Sequence, residues 1–449
     1  MSADKLRRNL TLTDAVGIVV GSMIGSGIFL KATEIAQVLP RPFLILGAWL
    51  LAGLLTLGGA LVLAELGAMI PEAGGLYVYL TRAYNPFVGF LFGWSLLAVL
   101  QTGSIAGLAA GSIQVLGVLA PGIEPYSLWL GIILIVFLTT VNIVSLKAGA
   151  NTQNFLTLVK VLGILMLVGG ALFLGGATTD NFQPQTTDLL GLSLLGAFGL
   201  CVSKALWAYD GWVNLGFMTG ELKSPERNLP RAIGYGIAFV VGVYLLTNAA
   251  YHLVLPMETV QNSPSVAVEV AKRLMGSPGT LAMSFLTFIS MAGALNSSIL
   301  SAPRVYYAMA KEGKFFPQVG AVHPKFKTPY IALIIQSTWA ICLLFWWGKF
   351  STLTDNVVFV FWIFYALGAG AVIRLRYLMP DAERPYRSVG YPWVPILFIL
   401  AAIGLTANTL VQAPVQSAQA LFLVVTGVLV YPFFSRNQPL ETKSEEPEE

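Results

Sequence analysis

Charge is what this sequence has least of. Only 11% of its 449 residues are Asp, Glu, Lys or Arg, against about 25% in soluble domains, which excludes a water-facing globular surface for most of the chain. Histidine is nearly absent: His252 and His323 stand alone, neither beside a metal-ligand or catalytic partner, so an enzyme would lack its constellation. The two cysteines, Cys201 and Cys342, each lie in an apolar run, which leaves no disulfide framework and no zinc spacing. A cleavable leader is not expected, because the short basic start (Lys5, Arg7, Arg8) runs straight into an apolar segment. No cofactor, metal or nucleic-acid partner is expected.

Hydrophobic length is what the chain has instead. Of its residues 56% are hydrophobic, and the mean hydropathy is +0.74. Runs of about 20 apolar residues, long enough to cross a bilayer core, recur about twelve times. They fall near 12–38, 43–70, 86–119, 127–146, 152–175, 190–219, 231–255, 279–310, 330–348, 353–377, 392–412 and 416–434. This predicts an all-α integral membrane protein with a single transmembrane domain over 1–435 and the lipid bilayer as its first partner. The acidic segment 436–449 reads as a disordered tail.

Lysine and arginine set the orientation. With the N-terminus inside, one set of loops collects Arg82, Lys147, Lys223, Arg227, Arg231, Lys311, Lys314, Lys325, Lys327, Arg374, Arg376, Arg384 and Arg387. The opposite side keeps only Lys31, Arg41, Lys272, Arg273 and Lys349. Both termini are therefore expected in the cytoplasm, in a multi-pass protein of the plasma membrane.

Four ionisable residues fall inside the expected spans: Glu65, Lys160, Lys204 and Asp210. Each is costly at the bilayer centre unless it faces protein or water. Glu65, near the inner end of the second span, can serve as a packing anchor. Lys204, one turn before Trp207, can snorkel or face a vestibule. Lys160 has no carboxylate near it in the sequence, so its ammonium needs acceptors from another helix, such as backbone carbonyls.

The first span carries "GSMIGSGIFL", Gly21 to Leu30. A GxxxG packing face is one reading; a dinucleotide fingerprint is excluded, since no βαβ unit surrounds it. An unwound helix is another, because Gly25 and Gly27 lower helix propensity and irregular backbone at membrane depth is tolerated where it lines a polar cavity. A second interruption favours that reading: "LWAYDGW" sets Asp210-Gly211, a turn-type pair, inside the sixth span, about 186 residues after Gly25. Corresponding breaks in two halves mark the midplane site of an inverted-repeat transporter. A broken helix offers N–H groups to a carboxylate and C=O groups to an ammonium, the two charges of an amino acid.

"GSMIGSGIF", "PEAGGLYVYL", "LWAYDGW", "GELKSPERNLPRAI" and "ALNSSILSAPRVYYAMAKEGKFFP" together resemble the L-type amino acid transporter group of the amino acid–polyamine–organocation superfamily, over about residues 8–435. The resemblance implies a LeuT-like fold of 12 transmembrane helices: a 5+5 inverted repeat (about 12–175 and 190–377) with helices 1 and 6 unwound, then helices 11 and 12 over about 392–434. It implies sodium-independent amino acid exchange by alternating access. By position, the substrate carboxylate is expected at Ser26 and Gly27, beside Gly25 and Gly211, and the α-amino group at carbonyls of Met23, Ile24, Trp207 and Asp210. Trp207 matches the gating aromatic of the family. Lys160 matches a lysine that replaces the cation of sodium-coupled relatives, with Gly21 or Ser22 and the hydroxyls of Ser297 or Ser298 as expected partners. Animal relatives join a heavy subunit through a cysteine after the third span; "LAPGIEPYS" has none, so no disulfide-linked heavy subunit is expected. Lys204 departs from the small or neutral residue of many relatives and raises the question of a pairing with Asp210. A proton-coupled carrier of cationic amino acids or polyamines, using Glu65, Asp210 or Lys160, is the competing reading.

Overall fold

In the computed structural model the described residues are 10–435 apart from 73, 145–146, 175–176 and 184–190. The tail expected to be disordered, 436–449, lies outside them.

The chain is helical throughout these residues. The first span is two helices, α1 (Leu12–Met23) and α2 (Gly27–Val38), followed by α3 (Pro42–Met69). Next come α4 (Leu76–Ala83), α5 (Pro86–Ser95), α6 (Gln101–Leu119), α7 (Ser127–Val144) and α8 (Lys147–Phe173). The sixth span is again divided, into α9 (Leu194–Ala208) and α10 (Val213–Phe217). Then follow α11 (Pro225–Val254), α12 (Met257–Asn262), α13 (Val266–Ser301) and α14 (Pro303–Lys311). The last four are α15 (Tyr330–Trp347), α16 (Phe350–Leu378), α17 (Trp393–Gln412) and α18 (Pro414–Ser435).

Among the described residues 10 helical segments, not the expected 12, are long and apolar enough to cross a membrane. Two more apolar stretches, the Thr157–Phe173 part of α8 and the helix Leu194–Ala208, are shorter. The second is short for a physical reason: the chain leaves the helix at Tyr209, where the expected break lies.

Local chemistry explains the first helix. Thr11 and Asp14 form a reciprocal capping box, Thr11 N donating to Asp14 Oδ2 at 2.9 Å, which satisfies N–H groups that a helix start leaves free. At the other end Ile24 turns out of the helix (φ −75°, ψ 90°) and α2 restarts at Gly27.

Two groups of helices organise the interior. α1, α2, α3, α9 and α11 pack on one another, and α6, α7, α13 and α15 form a second group, joined by α8 packing on α13 and α16 on α6. The divided helices lie between the groups, α1 touching α8 and α13, α9 touching α16. A π-helical turn, Leu96–Leu100, interrupts the third span just before Gln101, a type of bulge common at functional sites.

Glu65 is one of the anchors of this frame. Buried at 1% exposure, it accepts from Arg376 Nε (2.8 Å) and Nη2 (2.6 Å) and from Ser388 N (2.7 Å), with Arg384 at 3.6 Å. It ties α3 to α16 and to the loop beyond it, at the arginine-rich end, and stands away from the helix breaks.

Candidate functional site

The two breaks cross each other. A Cβ on Gly27 would fall 2.3 Å from Ala208 Cβ, and one on Gly211 would fall 2.9 Å from the backbone carbonyl of Ser22. Each glycine thus lets one divided helix approach the backbone of the other. Gly211 also takes φ +110°, a conformation L side chains rarely adopt. These are the positions at which glycine is required: the chain is weak as a helix where two backbones must touch.

Helix geometry then sets the chemistry. The N–H groups of Ser26, Gly27 and Ile28 open α2 and have no intrahelical acceptor. Ser26 makes no side-chain cap; its Oγ instead accepts from Trp207 Nε1 at 2.9 Å. With the acceptor role taken by the indole, the serine hydrogen is free to donate. Ser26 and the end of α2 together form a cluster of donors suited to a carboxylate. Met23, Gly25, Ser26, Gly27, Trp207, Asp210 and Gly211 line one cavity with Ser22 and Ser298. Its free space is about 30 Å³, room for a water or two, so the breaks must part to admit a larger molecule.

The acceptor side is more occupied than the sequence suggested. Ile24 O, expected to meet a substrate ammonium, accepts from Lys160 Nζ (3.1 Å) and Ser290 Oγ (3.3 Å). Met23 O accepts from the Tyr244 hydroxyl at 2.7 Å, and the same hydroxyl lies 3.1 Å from Ala208 O. Trp207 O receives the N–H of Asp210 at 3.2 Å. A carbonyl has two lone pairs: Met23 O retains one, whereas Trp207 O also receives the N–H of Tyr209.

Lys160 is fully buried, and its ammonium donates to Gly21 O (3.2 Å) as well as Ile24 O. It therefore caps the end of α1 with a positive charge where the helix dipole is negative. The hydroxyls expected on it are placed otherwise: Ser297 Oγ pairs with Ser22 Oγ at 3.0 Å, and Ser298 offers its backbone carbonyl to Gln101 Nε2 at 2.8 Å.

Lys204 and Asp210 do not pair. Six residues at 100° per residue separate their directions, and Asp210 lies past the helix end. Asp210 Oδ1 accepts from the Tyr365 hydroxyl at 2.8 Å. Lys204 turns toward the arginine-poor end and donates to Glu34 Oε2 (2.9 Å) and Asp355 Oδ2 (2.8 Å). Lys31 meets the same two carboxylates, at 2.9 and 2.8 Å. The result is a closed ring of four alternating charges joining α2, α9 and α16.

Lys31, expected on the arginine-poor side among its few charges, is 0% exposed inside α2. The i, i+3 spacing of Lys31 and Glu34 was the signal that could have revealed it. Tyr244, Tyr365 and Gln101 carried no such mark, being polar tips in apolar runs.

Above the cavity the seal is aromatic. Trp207 meets the Phe350 ring edge-on with centroids 6.1 Å apart, and Lys31 Nζ sits 5.2 Å over Phe350. Beyond them opens a vestibule of about 860 Å³, with Glu34, Lys349 and Phe350 on its wall.

The family model described as amino acid permease matches residues 10–433. Over 95% of its length the chain is 32% identical to the serine/threonine exchanger SteT of Bacillus subtilis (strain 168), and the match covers 96% of that protein. It is 31% identical to the b(0,+)-type amino acid transporter 1 of Mus musculus over 97% of this chain and 89% of that one. With the cystine/glutamate transporter of Homo sapiens the identity is 30%, covering 96% and 86%.

Proposed function

We propose that this chain, which belongs to the amino acid permease family and within it to the L-type amino acid transporter group, exchanges L-amino acids across the plasma membrane without sodium. That it is a multi-pass membrane transporter of amino acids and not an enzyme follows from the family; exchange, ion independence and orientation are our reading.

The observation that carries the reading is the crossing of the two breaks. Donors at Ser26 and Gly27 receive the substrate carboxylate, and the spare lone pairs of the Met23 and Asp210 carbonyls receive the ammonium. Trp207 closes over the substrate and orients the Ser26 hydroxyl at the same time. The transport cycle opens the site first on one side of α1 and α2 and then on the other, with the repeat halves about 12–175 and 190–377 moving against each other. The arginine-rich loops and both termini lie in the cytoplasm, which places the 860 Å³ vestibule outside. No disulfide-linked heavy subunit takes part.

Sodium independence is supported by Lys160. Its ammonium fills the space between the Gly21 and Ile24 carbonyls, where a coupling cation would need the same oxygens.

Exchange in proteoliposomes tests this. Labelled amino acid outside should enter only when an amino acid is inside, equally with and without sodium, in a panel that begins with L-serine and L-threonine, the substrates named for the bacterial relative. Accumulation driven by a pH gradient with nothing inside would replace exchange by proton coupling, for which buried Asp210 on the cavity wall is the candidate group.

A further inference from the structure

The four-charge ring has no part in holding a substrate at the breaks, yet it stands across the way in. Glu34 is on the wall of the vestibule, and the ring's other members tie α9 and α2 to α16 directly above the Trp207–Phe350 seal. α2 and α9 belong to the group that carries the breaks, and α16 packs both on that group, through α9 and α3, and on the other, through α6. A path from the vestibule that parts α2 and α9 from α16 requires the ring to open.

The ring's chemistry decides what can open it. Lys31 is 0% and Lys204 12% exposed, Glu34 18% and Asp355 28%. Pulling the ring apart unaided would leave two ammonium groups and two carboxylates uncompensated in a half-buried place, which is strongly unfavourable. A solute with one charge would compensate one side of the break and not the other. A zwitterion compensates both. Glu34 serves both lysines with the same oxygen, Oε2, and among the described residues its Oε1 makes no hydrogen bond. An acceptor for an incoming ammonium is thus already present on the vestibule wall.

Resting on the transport reading and its orientation, we propose that the Lys31–Glu34–Lys204–Asp355 ring is an outer recognition site for the α-ammonium and α-carboxylate common to all amino acids. The substrate's ammonium docks on the free oxygen of Glu34 and passes to Asp355, its carboxylate takes Lys31 and Lys204, and this exchange of partners releases α2 and α9 from α16. The first check on the substrate is its pair of charges, made before the side chain reaches the breaks.

A distance across the gate reads this directly. Spin labels on Gln37→Cys and Ser351→Cys, in a chain carrying Cys201→Ser and Cys342→Ser, report the separation of α2 from α16 in lipid nanodiscs. L-serine should shift the distance distribution to longer values. Ethanolamine, which lacks the carboxylate, and 3-hydroxypropionate, which lacks the amine, should not. The neutral pair Lys31→Gln with Asp355→Asn, which removes the ties to α16 and keeps Lys204 on Glu34, should show the longer distance without any ligand and no response to L-serine. An unchanged or shortened distance with L-serine, an equal response to the one-charge analogues, or a variant that stays short would each overturn the proposal. The ring reads groups that every amino acid carries, so the outcome does not depend on which one is transported. Absence of exchange in proteoliposomes would instead defeat the functional reading and leave this distance response standing.

Discussion

Lys160 and the four-charge ring handle charge inside the membrane in opposite ways. Lys160 is a single buried cation whose ammonium rests on two neutral carbonyls, Gly21 O and Ile24 O. The ring sets two cations against two anions and sums to zero. A charge held by dipoles cannot be displaced without leaving it bare, so it acts as a permanent fixture. Charges held by opposite charges can change partners with any solute that brings both signs. The molecule thus places the lone cation at the end of α1 and the four-charge ring between α2, α9 and α16, on either side of the same helix break.

Removing the fixed charge should have the largest effect. Lys160→Ala is expected to lower the exchange rate at least about 100-fold, since it uncaps the carbonyls that shape the break. If the ammonium stands where a cation would, added sodium should partly restore exchange in that variant and leave the parent unaffected; normal exchange rates would end the comparison.

Next is the joint between the two devices. Trp207→Ala removes both the seal on Phe350 and the hydrogen bond that orients Ser26, and should raise KM about tenfold while widening the range of side chains accepted. An unchanged selectivity profile would show that the indole neither gates nor orients.

The ring should tolerate loss of a pair better than loss of one member. Asp355→Asn leaves the ring with a net positive charge and should destabilise the folded protein by about 2 kcal/mol, moderated by solvent at this partly exposed position. Lys204→Gln with Glu34→Gln keeps neutrality and should lie closer to the parent in thermal unfolding. Equal losses in the two would mean that neutrality is not what holds the ring.

The smallest functional change is expected at Glu65→Gln, another fixed charge, held by Arg376 and Ser388 far from the breaks. It should lower the unfolding temperature, at a cost of about 1–3 kcal/mol, with KM for exchange unaltered. A shifted KM would bring Glu65 into the transport cycle.

The sequence made the breaks legible because glycine has a local meaning: Gly25, Gly27 and Gly211 weaken a helix whatever surrounds them. Lys160 was legible because a lone cation in an apolar run demands acceptors. The ring was hidden by the same rule that exposed Lys160. Lys31, Glu34 and Asp355 lie near span ends, where a charge is ordinarily solvated, and only the packing of α2 against α9 and α16 shows that these ends are buried together. Tyr244 and Gln101 were hidden because each reaches a backbone carbonyl far along the chain, Met23 O and Ser298 O. The expected count of twelve spans met a structural fact of the same kind: the sixth is divided, and its first piece ends at Ala208.

The hydroxyl of Tyr244 deserves a final count of atoms. It has one hydrogen, and two carbonyls reach for it, Met23 O from the first broken helix and Ala208 O from the sixth. At any instant one of them goes without. The closed site is therefore one proton short of contentment, and that shortage lies on the seam along which the two helices must part.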